Sequence, residues 1–261
     1  MVDSHVHVGR WKYREFGDYL PDMAAAGVAA AVLVQFVGNT DNRYLIDCAE
    51  TDPARFAVVA MVDPAEAGAV RHVDRLARSE VVRGIRLWAS SRSTGNDPLA
   101  IWKAIEANGL VASVRGPLSD LAAPAFRRIV EALPDLRIRL EHLGFAVYHE
   151  LEAADHPDFE AFLQLAEYPQ VATMWAGFYA NSSAPYPYPI ADRFLRAAVR
   201  AYGAQRITWS GDWNRPEVQP AEYAQAVDHV RDAAFLTSDQ ADWILGRSTV
   251  ELFGLSRRVL S

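Results

Sequence analysis

The sequence predicts one α/β domain spanning residues 1–261: a closed (β/α)8 barrel (TIM barrel) of parallel strands wrapped by helices, with an extra helix at its C-terminal end. Three observations predict it. Eight short apolar runs recur at intervals of about 25 to 35 residues, enough for a strand, a loop and a crossover helix. The intervals alternate apolar and charged residues at helical spacing. Polar side chains recur at the C-terminal end of each run, where such barrels place their sites. An open doubly wound sheet would share the alternation. Against it, the first strand opens the sequence and no glycine-rich phosphate loop follows; Gly9 stands alone before Arg10 and Trp11.

Each element follows from its residues. Val2–Val8 is the first strand, followed by a helix over Asp18–Ala26 that opens on an acidic residue, as helix N-termini favour. Ala29–Val37 and Asp41–Glu50 form the second unit, and Phe56–Val62 with Ala65–Arg78 the third. Val82–Trp88 is followed by Pro98–Asn108, whose proline suits a first helical turn. Leu110–Val114 pairs with Ala122–Leu133, Leu136–Leu143 with Asp158–Tyr168, Val171–Phe178 with Ala191–Tyr202, and Arg206–Trp213 with Ala221–Ala233. A ninth helix, Ser238–Phe253, closes the chain, and no linker or low-complexity stretch divides it.

Composition narrows the function classes. A net charge of −7 without a basic stripe argues against nucleic acid. Cys48 is the only cysteine, so no intrachain disulfide forms, and a metal would rest on His and carboxylate ligands. Cys48 itself reads as a packed helix residue. Asp3, His5 and His7 interrupt any signal peptide, and Gly27–Val37 is too short to span a membrane. A cytoplasmic protein is expected.

Strand ends supply the candidate site. His5 and His7, two apart on a strand, face the same side; the bland alternative is a pair of buried rings donating to carbonyls. The other ends carry Gln35, Asp63, Arg86 and Trp88, Ser113 and Arg115, Glu141 and His142, Trp175 and Tyr179, and Ser210, Asp212 and Trp213. Asp212 ends an apolar strand, where a carboxylate needs a partner or a task, unless it caps the next loop. Arg86 is either a clamp for a substrate carboxylate or half of a salt bridge across the barrel mouth. His72, His149, His156 and His229 read as surface residues. The segment from Tyr179 to Pro189, with three tyrosines and three prolines, reads as a stiff aromatic loop over the mouth, or as a packed surface or subunit contact.

With these strands assembled, the chain resembles the amidohydrolase superfamily, in its amidohydrolase-related (family 2) branch. Asp3-Ser4-His5-Val6-His7 is similar to that family's opening motif. Glu141-His142-Leu143-Gly144 is similar to its Asp-His-x-Gly, with Glu for Asp, and Ser210-Gly211-Asp212-Trp213 to its Gly-Ser-Asp-Trp, with the first two residues exchanged. Val34-Gln35 and Gly84-Ile85-Arg86-Leu87 resemble the lactonases of this branch, which act on pyrone-dicarboxylate and sugar lactones.

The resemblance implies a hydrolase that opens a lactone ring. Asp212 would be the base for water, with His5, His7 and His142 around the carbonyl oxygen. Arg86, Gln35, Trp88, Tyr179 and Arg115 would bind substrate, with Arg86 favouring an anionic small molecule. It leaves open no cofactor or one divalent metal, Zn or Mn, on His5, His7 and Asp212. Metal-dependent members add a His or modified Lys from strand 4 or 5, and Val111–Gly116 offers neither. Two alternatives stand: a metal-dependent decarboxylase of an aromatic or muconate-type acid, and a barrel that binds a ligand without catalysis. The C-terminal helix and the aromatic loop leave homo-oligomerisation open.

Overall fold

The computed structural model describes residues 1–149, 156–176, 186–213 and 220–260. Eight parallel strands form one sheet in sequence order: β1 (Val2–Val6), β2 (Ala30–Val34), β3 (Phe56–Met61), β4 (Val82–Trp88), β5 (Val111–Arg115), β6 (Ile138–Leu140), β7 (Val171–Ala176) and β8 (Ile207–Ser210). Helices stand between them, as crossover connections require. The sheet curls into the expected barrel. Its β1–β8 seam is drawn together by Ser4 Oγ donating to Thr208 Oγ1 (3.2 Å), Ser210 Oγ to the His5 carbonyl (2.8 Å) and His7 N–H to the Trp213 carbonyl (3.0 Å).

The period of two sorts each strand into two faces. Outward residues such as Ala31, Leu33, Val58, Ala60, Ile85 and Leu87 join Tyr19, Met23, Leu45, Trp102 and Phe126 of the helices in the main core. Inward residues Val2, Ala30, Val32, Val34, Ala57, Val59 and Val111 form a second core with Val250, Phe253, Leu255 and Val259. The C-terminal segment thus closes the end of the barrel where the strands begin. Lateral register sets Val34, Val59, Gly84 and Val111 side by side. Gly84 must be glycine, because a Cβ there would lie 2.7 Å from the Val111 carbonyl oxygen. Two residues further on, the register runs Met61, Arg86, Ser113, Arg139; beyond it Trp88 pairs with Arg115. The interior therefore passes from apolar to charged towards the strand C-termini.

Several boundaries differ from the sequence expectation. β6 stops at Leu140 and β8 at Ser210, because the backbone turns left-handed at His142 (φ 53°) and Asp212 (φ 49°). The helix expected over Ala122–Leu133 is two, Leu118–Ala122 and Pro124–Ala132; Ala123 is extended, as the residue before a proline prefers. The C-terminal helix runs from Ser238 to Phe253 with a wide π turn at Trp243–Arg247. Thr237 and Gln240 cap its start reciprocally, and Gly254 (φ 64°) ends it. No helix among the described residues is long and apolar enough to cross a membrane.

Candidate active site

β1 carries a bulge. Asp3 pairs with Ala31 but Val6 with Leu33, so an extra residue lies between them. Val6 points out into the main core, while His5 and His7 point inward. Asp3 turns the other way. Its Oδ1 accepts from the His5 N–H (3.0 Å), and its Oδ2 from the Gly211 N–H (3.2 Å) and the Tyr223 hydroxyl (2.8 Å). Burial pushes the Asp3 carboxyl up to about 6, against the pull of those bonds.

Glu141 centres the charged layer. Arg86 donates to it from Nε (3.0 and 3.2 Å) and Nη2 (2.7 Å), and Ser113 Oγ donates at 2.7 Å. Burial pushes the Glu141 carboxyl up, but Arg86 and then Arg139 outweigh it and hold it at about 2. Arg139, also fully buried, donates to the Ser4 carbonyl (2.5 Å) and Ser113 Oγ (2.7 Å), and its Nη2 lies 3.2 Å from His5 Nδ1. His5 Nε2 is 3.1 Å from His7 Nε2, and His7 Nδ1 is 2.6 Å from the Val34 carbonyl oxygen. A guanidinium only donates and a carbonyl only accepts. His7 therefore holds its proton on Nδ1, and His5 holds its proton on Nε2, donating to the His7 lone pair. Burial first, and Arg86 among the charged neighbours, keep both imidazoles well below their ordinary range and neutral.

His142 opens a left-handed turn in which His142, Leu143, Gly144 and Phe145 have φ of 53°, 50°, 63° and 59°. For the non-glycine residues this conformation costs about 1–2 kcal/mol each, a strain typical of functional sites. It carries the His142 ring to within 5.2 Å of His5 and 4.8 Å of Phe145, centroid to centroid. Burial brings His142 down to about 3, so it too is neutral. The Asp212 N–H donates to Ser210 Oγ (2.7 Å), the same hydroxyl that donates to the His5 carbonyl. Donor atoms of His5, His142 and Asp212, all buried, lie within 4.8 Å of one another. At the rim, Arg115 lies between the rings of Trp88 (5.0 Å) and Phe145 (5.1 Å). His7 stacks on Tyr13 (5.0 Å), which meets Phe36 beside a cavity of about 420 Å³ lined by Arg10, Trp11, Gln35 and Tyr44.

The structure thus brings His5, His7, His142 and Asp212 together, with Trp88 and Arg115 at the rim. Arg86 takes the salt-bridge alternative: it is 2% exposed, bound to Glu141, and donates to the Gln35 carbonyl (2.9 Å). The Gln35 side chain is engaged by the Asp41 carbonyl and the Phe36 N–H. Asp63 is exposed and holds the Ala65 N–H. His229, expected on the surface, is buried, with Nδ1 2.9 Å from the Pro187 carbonyl and its ring stacked on Trp175. Tyr179 and residues 179–185 of the aromatic loop lie outside the described residues; Tyr188, from the same loop, is buried beside His229. Sequence reasoning missed Arg139 and the outward task of Asp3. Arg139 stands two residues before Glu141 in the same sequence run, a spacing that in an extended segment places both on one face.

The donor set can be weighed against a divalent ion. Three ligands plus water is a familiar count, and His5, His142 and Asp212 are suitable types. His7, expected as a ligand, pairs with His5 instead. A ligating His passes its other N–H to an acceptor. His7 has that arrangement through Val34; His5 does not, because its Nδ1 faces a guanidinium. As arranged, the set does not fit a metal on His5.

A family model described as amidohydrolase matches residues 2–255. The chain belongs to the amidohydrolase family. Among relatives of this amidohydrolase, L-fucono-1,5-lactonase of Burkholderia ambifaria is 28% identical over 236 residues, covering 81% of this chain and 79% of the relative. A Pseudomonas putida structure described as a 2-pyrone-4,6-dicarboxylic acid hydrolase superposes with a TM-score of 0.78 at 25% identity, covering 97% of each chain. A zinc-bound amidohydrolase of Burkholderia multivorans shares the fold at 21% identity, with a TM-score of 0.78 over 97% of this chain and 99% of its own.

Proposed function

We propose that this amidohydrolase opens the ring of a lactone by water attack. The convergence of His5, His142 and Asp212 in a buried cluster at the strand C-termini carries the reading, and the relationship to L-fucono-1,5-lactonase supports it. A lactone carbonyl needs polarisation, an activated water and a proton for the leaving oxygen. The two neutral histidines are donors for the carbonyl oxygen: His5 through its Nε2–H, turned from His7 towards substrate, and His142 through a ring N–H. Asp212 takes a proton as water forms the new C–O bond. When the ring C–O bond breaks, Asp212 returns that proton to the leaving alkoxide. Arg115 replaces Arg86 as the clamp for a substrate carboxylate; stacking uses the faces of a guanidinium, and carboxylate recognition uses its N–H edge. No step here passes through a metal. The decarboxylase alternative requires one, and the tautomer of His5 opposes it.

The test is a panel containing an aldonolactone and a pyrone-dicarboxylate lactone, assayed before and after chelation, with Asp212→Asn as control. The expected result is hydrolysis that survives chelation and falls by about 10²–10⁴ in Asp212→Asn. Turnover only after adding Zn²⁺ or Mn²⁺ would overturn the metal-free route. No turnover with any lactone would overturn the lactonase reading.

A further inference from the structure

We propose that Arg139 fixes the proton arrangement of the His5–His7 pair and thereby keeps divalent cations off it. Two ring nitrogens 3.1 Å apart are sharing either a proton or a metal ion. The other nitrogen of each ring decides which. His7 Nδ1 donates to the Val34 carbonyl oxygen (2.6 Å), so its Nε2 lone pair would serve either arrangement. His5 is the discriminating ring. Its Nδ1 lies 3.2 Å from Arg139 Nη2, which has only protons to offer. That contact makes Nδ1 the acceptor and leaves the His5 proton on Nε2, aimed at His7. A metal at Nε2 would force this proton onto Nδ1, where it would meet the guanidinium head-on.

Arg139 is poorly placed to yield. It is fully buried, anchored on the Ser4 carbonyl, and oriented by Ser113 Oγ, which is itself committed to Glu141. Glu141 Oε1 lies 3.9 Å from His5 Nδ1, the position from which a carboxylate would orient a metal-binding ring. Glu141 is instead bound by Arg86 and Ser113, and Arg139 takes the place beside His5 Nδ1. The positive charges of Arg86 and Arg139 act against a cation in the same direction. The arrangement of the pair and of the groups that hold it is independent of which substrate binds.

Two measurements on the whole protein test it, neither relying on turnover. The first is ¹⁵N NMR of histidine-labelled protein at pH 8, with and without equimolar Zn²⁺. The expected result is unprotonated nitrogen at His5 Nδ1 and His7 Nε2, protonated nitrogen at His5 Nε2 and His7 Nδ1, and no change with zinc. The second is calorimetric zinc titration of the wild type and Arg139→Met. Removing the guanidinium lets the His5 proton settle on Nδ1 towards Glu141, and zinc affinity should rise about tenfold or more. A wild-type spectrum with a proton on His5 Nδ1, or zinc coordination at His5 Nε2, overturns the proposal. So does a folded Arg139→Met protein with unchanged zinc affinity. The wild-type spectrum decides the point alone if that variant does not fold.

Discussion

Three buried neutral histidines of the site make the stability of this protein sensitive to mild acid, and His229, buried and lowered likewise, acts in the same direction. His5, His7 and His142 are all held below their ordinary value of 6.5 by burial. Unfolding returns them to water, where they protonate below that pH. The unfolded state then binds more protons than the native state, so stability falls as pH falls through 6.5. Between pH 8 and pH 5.5 each ring costs about 1.4 kcal/mol, and the three together about 4 kcal/mol. Asp3 works in the opposite sense. Its folded value is raised to about 6 from 3.8, so its stabilising contribution is complete below 3.8 and is lost as pH rises through 6. At pH 5.5 it restores about 1 kcal/mol. Glu141, held at about 2 against an ordinary 4.5, loses its contribution only as pH falls below 4.5 and stays out of this window. The net loss is about 3 kcal/mol from a typical total of about 5–15 kcal/mol. Urea unfolding at pH 8 and pH 5.5, at matched ionic strength, measures it, and His142→Gln should remove about a third of the histidine term. Equal or greater stability at pH 5.5 would refute the assignment of three neutral buried rings.

Other substitutions probe other links. Glu141→Gln breaks the buried pair with Arg86 and should cost about 3–5 kcal/mol, read as a lower urea midpoint. Gly211→Ala sets a Cβ 2.1 Å from the Tyr223 ring; it should cost about 1–3 kcal/mol and lower kcat by displacing the Tyr223–Asp3 contact beside Asp212. Arg115→Met should raise KM for a carboxylated lactone by about 10- to 100-fold and leave KM for a neutral lactone unchanged; equal effects on both would remove the clamp.

The parts of the site legible in the sequence are those governed by local periodicity. His5 and His7 share a face because strand side chains alternate, and that holds even beyond a bulge, since both lie on its far side. Asp3 lies before the bulge, so the same rule places it wrongly; an inserted residue reverses the face and leaves no mark in composition. Arg139 is hidden for a different reason. An arginine alternating with Arg137 and Glu141 in an apolar run reads as part of a solvent-facing side, and only closure of the barrel brings Ser4, Ser113 and His5 around it. Which arginine is the candidate clamp is likewise a tertiary outcome: Glu141 lies within reach of Arg86 and claims it, while Arg115, one layer higher, sits between the rings of the rim.

The two terminal motifs join the candidate site to the closure of the barrel. Asp3, Ser4, His5 and His7 meet Thr208, Ser210, Gly211 and Trp213 through four hydrogen bonds across the β1–β8 seam: Ser4 to Thr208, Ser210 to the His5 carbonyl, Gly211 to Asp3, and His7 to Trp213, with the Asp3 bond to His5 N–H and the Asp212 bond to Ser210 completing the chain on either side. The exchanged Ser210-Gly211 order follows from this seam. The serine must face inward to bridge Asp212 and the His5 carbonyl, and the glycine must face Tyr223, where a side chain has no room. The candidate base and the candidate carbonyl donors are therefore positioned by the same bonds that close the barrel. A substitution that loosens the seam should separate His5 from Asp212 before it unfolds the chain, so loss of activity should precede loss of structure along a denaturant titration.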